Sequence, residues 1–505
     1  MNQQIILDRN DSARVRAAQL AANEIARERL LSGPITSTLI VFSLPILGST
    51  ALQSLNLTVN QFWIARSLNI SAITAVGNAN VIMQLMLAAM FGMSAAANIL
   101  IAQAVGAANW PMLKKVMGAA VSFFLMLSLV IAACGLLFSP AILGLIGTPM
   151  EARPQAILYL RVISVSLPFL LFFQFIQMAQ QSAGDSRRPF YFMLAAIGIA
   201  IVLNPILIRG LGPIPKLGVA GAAFATCIGQ ASALMAMLVY LSRKHSPIML
   251  RREDLAYLRP DREVLGAIVS RGIPITLQAV MWNASAAVMI GMVNSYGAVT
   301  AAAYTAASQL WNYVQMPAQA LGAASTSMGA QNIGAGNWPR VDQVARSAVI
   351  TALCFTGTVS ILLYALGEHA LHIFLPVGSP SVQVALHMDY LVLWSFALYS
   401  VTMQLIGIVR STGAVMPPMI TVFVALVCVR IAFAKLMQPF WGADAVWLSF
   451  PVGIFVSITM NSLYYRYGGW RKVRMLKSEP VSTEPADLPE AIAGTNAITN
   501  PPATV

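Results

Sequence analysis

Twelve stretches of this chain are each apolar over a length that crosses, or nearly crosses, a lipid bilayer, and no other feature limits its possible folds so tightly. They lie at about 35–57, 79–105, 116–138, 157–180, 190–208 and 221–241, then at 273–293, 307–333, 349–366, 390–408, 419–434 and 445–464. A hydrocarbon core about 30 Å thick is spanned by about 20 helical residues. Inside it every backbone polar group must be satisfied within the protein, which selects helices for segments of this kind. With 58% of residues hydrophobic and 10% charged, the chain has too little polar surface to face water all round. The expected fold class is an all-α polytopic membrane protein with twelve transmembrane helices.

The net charge of +13 does not point to nucleic acid, because the basic residues are spread over the loops that flank apolar segments. Placing the N-terminus, every second loop and the C-terminus on one side puts 24 of the 31 Lys and Arg there. By the positive-inside bias that side is the cytoplasm, so both termini are expected there, in a cytoplasmic (inner) membrane. The longest interior loop, 242–271, carries seven of these residues, including Arg243, Lys244, Arg251 and Arg252, and reads as a cytoplasmic linker. Expected divisions are a cytoplasmic N-terminal segment 1–33, six-helix lobes 34–241 and 272–466 on either side of the linker, and a disordered cytoplasmic tail 467–505. In the N-terminal segment Val15, Ala18, Ala22 and Ile25 recur at helical spacing among charges, as in a helix lying on a membrane surface or a plain solvated lead-in. The first apolar segment is too long for a cleaved signal peptide and is expected to stay as an anchor.

Cys134, Cys227, Cys354 and Cys428 each fall within an apolar segment and form no C-x-x-C pair, so packing is their expected role. Glu368, His369 and His372 form an E-H-x-x-H run in a loop, read as a solvated turn rather than a metal site. No metal and no cofactor is expected.

Self-comparison shows a duplication. Residues 102–116 read AQAVGAANWPMLKKV and residues 330–344 read AQNIGAGNWPRVDQV, identical at eight of fifteen positions with an offset of 228. Nearly the same offset relates Pro45 to Pro274, Gly184 to Gly413 and Pro189 to Pro418. Six helices per copy is an even number, so the copies share one orientation and are related by an axis along the membrane normal. Gly106 and Gly334 are expected where a helix stops, and Asn109 and Asn337 open the next one with Trp and Pro. Trp110 and Trp338 are expected to anchor at the headgroup level. Two such lobes leave a cleft between them that rocking exposes to one side and then the other.

The repeated motif, with Gln103, Gly106 and Asn109 in the first half and Gln331, Gly334 and Asn337 in the second, resembles the multidrug and toxic compound extrusion (MATE) family. So do QQSAGDSRRPF around Gly184 and Asp185, IVRSTGAVMPP at 408–418, and LNPILIRGLGPIPKLGVAGAAFATCIG at 203–229. The resemblance spans roughly 34–465. It implies an efflux antiporter driven by protons or sodium, usually through a membrane-embedded carboxylate. This chain departs from that pattern. Where proton-coupled relatives carry an aspartate on helix one it has Asn60, and where several carry one on helix five it has Asn204. Positions acidic in sodium-coupled relatives fall near Trp282 or Asn283 and near Tyr399.

Asparagine cannot titrate, although its carbonyl oxygen can bind sodium or a substrate. Asn60, Asn204, Asn283 and Tyr399 are therefore kept as cleft candidates, with the coupling cation (H+ or Na+) open. Of the charges inside apolar runs, Arg161 and Arg430 are expected to snorkel to an interface, and Asp389 is the remaining candidate proton carrier. Asp185 is expected to bond locally or to pair with Arg187 and Arg188. In GVAGAAFATCIG, Gly221, Ala225 and Gly229 offer one face for close helix approach. The 26 methionines are consistent with an adaptable cleft.

The function expected is export of small organic, drug-like or cationic compounds by a chain acting as a monomer. Its partners would be the bilayer and its small-molecule substrates. A flippase of related architecture for a lipid-linked precursor is the alternative; it would need several basic residues facing the cleft, and by sequence the helices offer almost none. A membrane-embedded enzyme is a distant third.

Overall fold

The computed structural model describes residues 27–28, 30–67, 70–145, 147–210, 215–244, 246–259 and 261–476. The amphipathic stretch expected before Arg27 and residues 477–505 of the expected tail lie outside these. The tail's first part, 467–476, is not disordered, because a 3-10 turn, Gly469–Lys472, buries Trp470, whose indole N–H donates to Tyr465 O at 2.8 Å. Residues up to Met475 form one unit, and a second begins at Leu476.

The first half contains α1 (Ile35–Ser67), α2 (Ile70–Gly106), α3 (Trp110–Leu145), α4 (Arg153–Ser182), α5 (Arg187–Arg209) and α6 (Val219–Arg243). The second contains α7 (Arg262–Asn294), α8 (Ala298–Gly334), α9 (Trp338–Leu371), α10 (Pro380–Val392), α11 (Ser395–Arg410), α12 (Met416–Trp441) and α13 (Asp444–Tyr467). Ten of these are long and apolar enough to cross a bilayer alone, and α10 with α11, bent by 50°, makes an eleventh span. The twelfth is α8. Its 37 residues reach ~55 Å at the α-helical rise, but no continuous stretch of it is apolar enough to make a span on its own. The reason is its place: α8 packs on α1, α2, α9, α10 and α11, so few of its side chains need to meet lipid.

The two copies of the repeated motif build the same local structure. Asn109 Oδ1 accepts from the backbone N–H of Met112 at 2.9 Å, and Asn337 Oδ1 from that of Arg340 at 3.2 Å. Each caps a helix that opens with Trp and Pro. The preceding glycines end α2 and α8 as expected, but they do not supply the left-handed turn. That conformation falls two residues later, at Ala108 (φ 54°) and Gly336 (φ 73°). The glycines serve contact instead. A Cβ on Gly106 would lie 2.0 Å from the backbone oxygen of Gln331, and one on Gly334 would lie 2.0 Å from that of Gln103. The ends of α2 and α8 therefore touch backbone to backbone, in a reciprocal contact about the pseudo-twofold axis.

The two motif glutamines continue that reciprocity. Gln103 Nε2 donates to the carbonyl oxygen of Ser411 at 2.7 Å, and Gln331 Nε2 donates to that of Ser182 at 2.7 Å. Each joins one half to the end of the fourth span of the other. Beyond this point α2 packs on α7, and α1 packs on α8 in the corresponding position. Leu39, Phe42 and Ile46 of α1 share a core with Leu321, Ala324 and Met328 of α8.

Both Asn-Trp-Pro turns lie at this same end. Arg27 donates to the carbonyl of Gly106, while Arg340, just past the second turn, donates to that of Gly33. The linker is docked here too. It contains a 3-10 turn, Arg252–Leu258, and Lys114 near the start of α3 donates to Met249 O at 2.6 Å and pairs with Asp254 at 2.7 Å. Burial raises the Asp254 carboxyl pKa, but the Lys114 bond and the Arg251 N–H outweigh it, leaving the group below its usual range. Trp338 is half-buried against Trp470 with ring centroids 6.3 Å apart, so it packs on protein as well as marking a helix start.

Within the first half, a Cβ on Gly221 would lie 2.5 Å from Leu207 O and one on Gly229 2.4 Å from Ala196 O. That face of α6 does admit α5 closely. Gly184, at φ 101°, makes the turn before α5, and Asp185 accepts from the N–H groups of Arg187 and Arg188 while pairing with the Arg188 guanidinium at 3.0 Å.

Candidate functional site

Above the closed end the halves part around a cavity of about 690 Å³. The first half contributes residues of α2 and α4, among them Phe91, Asn98, Met178 and Gln181. The second contributes α7, α8, α11, α12 and α13. Along α8 the lining runs from Tyr304 to Ala330, about 40 Å of helix. A second space of about 440 Å³ adjoins it, sharing Phe91, Ala279, Asn283 and Gln319 and reaching Gln53, Gln84 and Gln174.

The wall is aromatic and amide-rich. Trp282 and Tyr399 meet edge to face with centroids 5.8 Å apart, and Tyr304, Trp311 and Phe450 form a second aromatic group. Asn98, Gln181, Asn283, Asn312, Gln315 and Gln319 bring neutral donors and acceptors. Methionine contributes only Met178 and Met403 among the described lining residues, so adaptability there rests on amides and rings.

The charge lining this cavity is positive. Arg410, at the end of α11, donates to Gln278 Oε1, and its Nε has no hydrogen-bond partner. Arg430 is 5% exposed, sits 3.5 Å from the centroid of the Phe450 ring and also has an unpartnered Nε. Among the described residues neither is in an ion pair, and none that lines the cavity is a carboxylate. The sequence reading differs on both. Arg430 was expected at an interface, but the π-helical stretch Phe423–Arg430 changes the register of α12 and turns its side chain inward. Arg410 counts as a loop cation by sequence, yet α11 carries it into the cavity. Arg161 is exposed and donates to Ser139 Oγ at 3.2 Å, consistent with an interfacial position.

The sequence candidates separate into three places. Asn283 and Tyr399 line the cavity together with Trp282. Asp389 lies just behind the wall: it is 3% exposed, Oδ1 accepts from Trp311 Nε1 at 2.6 Å, and Oδ2 has no partner. Asn60 and Asn204 line neither cavity. They meet each other within the first half, where Asn204 Nδ2 donates to Asn60 Oδ1 at 2.5 Å and Asn60 Nδ2 reaches Thr226 Oγ1 at 3.4 Å. Gln103, Gly106, Gln331 and Gly334 form the seam below the cavity, Asn109 and Asn337 cap helices there, and Gly184 and Asp185 make a turn. Trp311, Gln278, Arg410 and Arg430 carry most of the site's chemistry and were not singled out for the cleft; only their residue types, rare for charges within helices, could have marked the arginines.

The family model MatE matches the chain twice, over residues 45–206 and 274–436. The chain belongs to the MATE family. The two matches are the two halves of the fold, one in each lobe. Among its relatives, the chain is 30% identical over 439 residues to "Probable multidrug resistance protein YoeA" of Bacillus subtilis, covering 86% of this chain and 94% of that one. It is 28% identical over 446 residues to "Probable multidrug resistance protein YpnP" of the same organism, with 88% and 97% covered. The fold is similar to a solved MATE transporter described as "Outward-facing conformation of a multidrug resistance MATE family transporter of the MOP superfamily", with a TM-score of 0.81 at 20% identity over 88% of this chain and 98% of that chain. This chain is thus a multi-pass membrane protein of a transporter family.

Proposed function

We propose that this chain is a secondary active exporter of small organic compounds, exchanging them for a cation by alternating access from a bacterial-type cytoplasmic membrane. The observation that carries the reading is a cavity lined by both repeats and closed at one end by reciprocal contacts between them. Because the join between the lobes is built twice over from equivalent contacts, α2 on α7 and α1 on α8 with the paired glutamines at its end, its two sides can part together when the lobes rock. The basic residues at the closed end, including Lys114, Lys115, Arg187 and Arg188, support its assignment to the cytoplasm. In that assignment the cavity is closed inward.

Of the two coupling ions, the buried carboxylate of Asp389 favours the proton. Its free Oδ2 can take one, and Trp311, which holds Oδ1, faces the substrate, so a change at Asp389 reaches the cavity through one hydrogen bond. The amide-rich wall around Asn283 and Gln319 would be the place for sodium. Reconstitution in liposomes decides between them: dye flux is recorded under an imposed proton gradient and then under a sodium gradient. Flux under the first alone supports the proton, flux under the second alone supports sodium, and no flux of any of a broad dye panel removes the antiporter reading. The cationic substrate class expected from the sequence finds no carboxylate among the described lining residues.

A further inference from the structure

We infer that the cavity receives compounds carrying a carboxylate or phosphate on an aromatic body, with Arg410 and Arg430 as the two anion contacts. The inference rests on the export reading and names the substrate class for the same site.

A guanidinium held away from water normally has an acid or several acceptors around it, since burying an uncompensated charge is costly. Neither arginine has a carboxylate partner among the described residues, and each keeps a buried Nε–H with no acceptor. The Phe450 face attracts the Arg430 charge but accepts no in-plane hydrogen bond, and Gln278 offers Arg410 a single neutral oxygen. The missing acceptors match the oxygens of a carboxylate or phosphate, which the planar fork of arginine binds in pairs. A cation entering the same space would meet two like charges and, among the described lining residues, no acid.

The positions of the two residues add a direction. Arg410 precedes Ser411, whose carbonyl is held by Gln103 in the seam, so it stands at the closed end of the cavity. Arg430 stands with Tyr304 and Phe450, near the opposite end of α8. When the seam opens, an entering anion meets Arg410 first, and Arg430 provides the second contact farther along. Between them Trp282 and Tyr399 offer faces and edges for an aromatic body.

Binding and flux test this separately. Purified protein is titrated against carboxyfluorescein, an aromatic polyanion, and against ethidium, an aromatic cation, by fluorescence anisotropy. Carboxyfluorescein should bind at least tenfold more tightly than ethidium, and Arg410→Gln and Arg430→Gln should each weaken it by tenfold or more without weakening ethidium. Arg410→Lys and Arg430→Lys, which keep the charge if the glutamine variants misfold, should retain more of the affinity, and size-exclusion profiles check the fold. Flux of both dyes and flipping of fluorescent phosphatidylglycerol are then followed in proteoliposomes. Arginine-dependent movement of carboxyfluorescein identifies a water-soluble anion; arginine-dependent movement of the lipid alone identifies an anionic headgroup, the same chemistry on the flippase alternative. Arginine-dependent binding without any flux would leave the anion site standing and remove the export reading. Tighter binding of ethidium, or carboxyfluorescein affinity unchanged in the folded glutamine variants, overturns the inference.

Discussion

Gln331 reaches across the pseudo-twofold axis to the Ser182 carbonyl at 2.7 Å, the same distance at which its repeat counterpart Gln103 holds Ser411. An interhelical hydrogen bond in a membrane contributes ~0.6 kcal/mol on average, so losing both shifts the closed-to-open balance by roughly sevenfold. Gln103→Ala with Gln331→Ala should therefore populate a form open at this end. Spin labels at Arg187 and Ala335, with the four native cysteines replaced, should report a longer second distance in the double variant. An unchanged distance distribution would show that the glutamines do not hold the seam.

The backbone contact beneath those bonds is less forgiving. Gly106→Ala or Gly334→Ala places a methyl 2.0 Å from a carbonyl oxygen, closer than any real contact, so α2 and α8 must separate. Overpacking of this kind costs about 1–3 kcal/mol, and each variant should unfold at lower temperature and transport poorly. Gly198→Ala meets open space and serves as the control, with little change in either measurement. Equal tolerance at all three glycines would contradict the close approach.

Asp389→Asn keeps an oxygen for Trp311 while removing the group proposed to carry the proton. Folding and substrate binding should persist. Flux driven by a proton gradient should drop at least tenfold, whereas substrate-for-substrate exchange with no gradient should continue. Retention of proton-driven flux would return Asp389 to a packing role.

Asn60 and Asn204 predict the opposite division. Asn60→Ala leaves the Asn204 amide buried without its acceptor, a loss of about 1–3 kcal/mol, while touching no cavity wall. Thermal unfolding should move down with substrate affinity unaltered. Normal stability combined with lost transport would place this pair on the path.

The fold was legible because its signals are local or repeated. Apolar length marks most spans, and the copied Asn-Trp-Pro turns reveal the duplication, its parity and the end at which both turns lie. What escaped depends on three-dimensional register. The break after Val392 and the π-helical stretch before Ile431 decide which way Arg410 and Arg430 face, and neither has an unambiguous sequence mark. For the same reason Asn60 and Asn204, 144 residues apart, could be suspected singly but not paired. Gly106 and Gly334 were placed correctly at helix ends, yet their contact with the opposite half is a property of the assembled lobes.

The central claim is that the seam between the repeats opens and closes during transport. It is tested most directly by replacing Gln103 and Ser411 with cysteine in a background free of other cysteines and joining them with a short bifunctional thiol linker. Fully cross-linked protein in liposomes should carry no substrate, and reductive release of the linker should restore flux. Transport at the unlinked rate with the two lobes tied together would contradict the account.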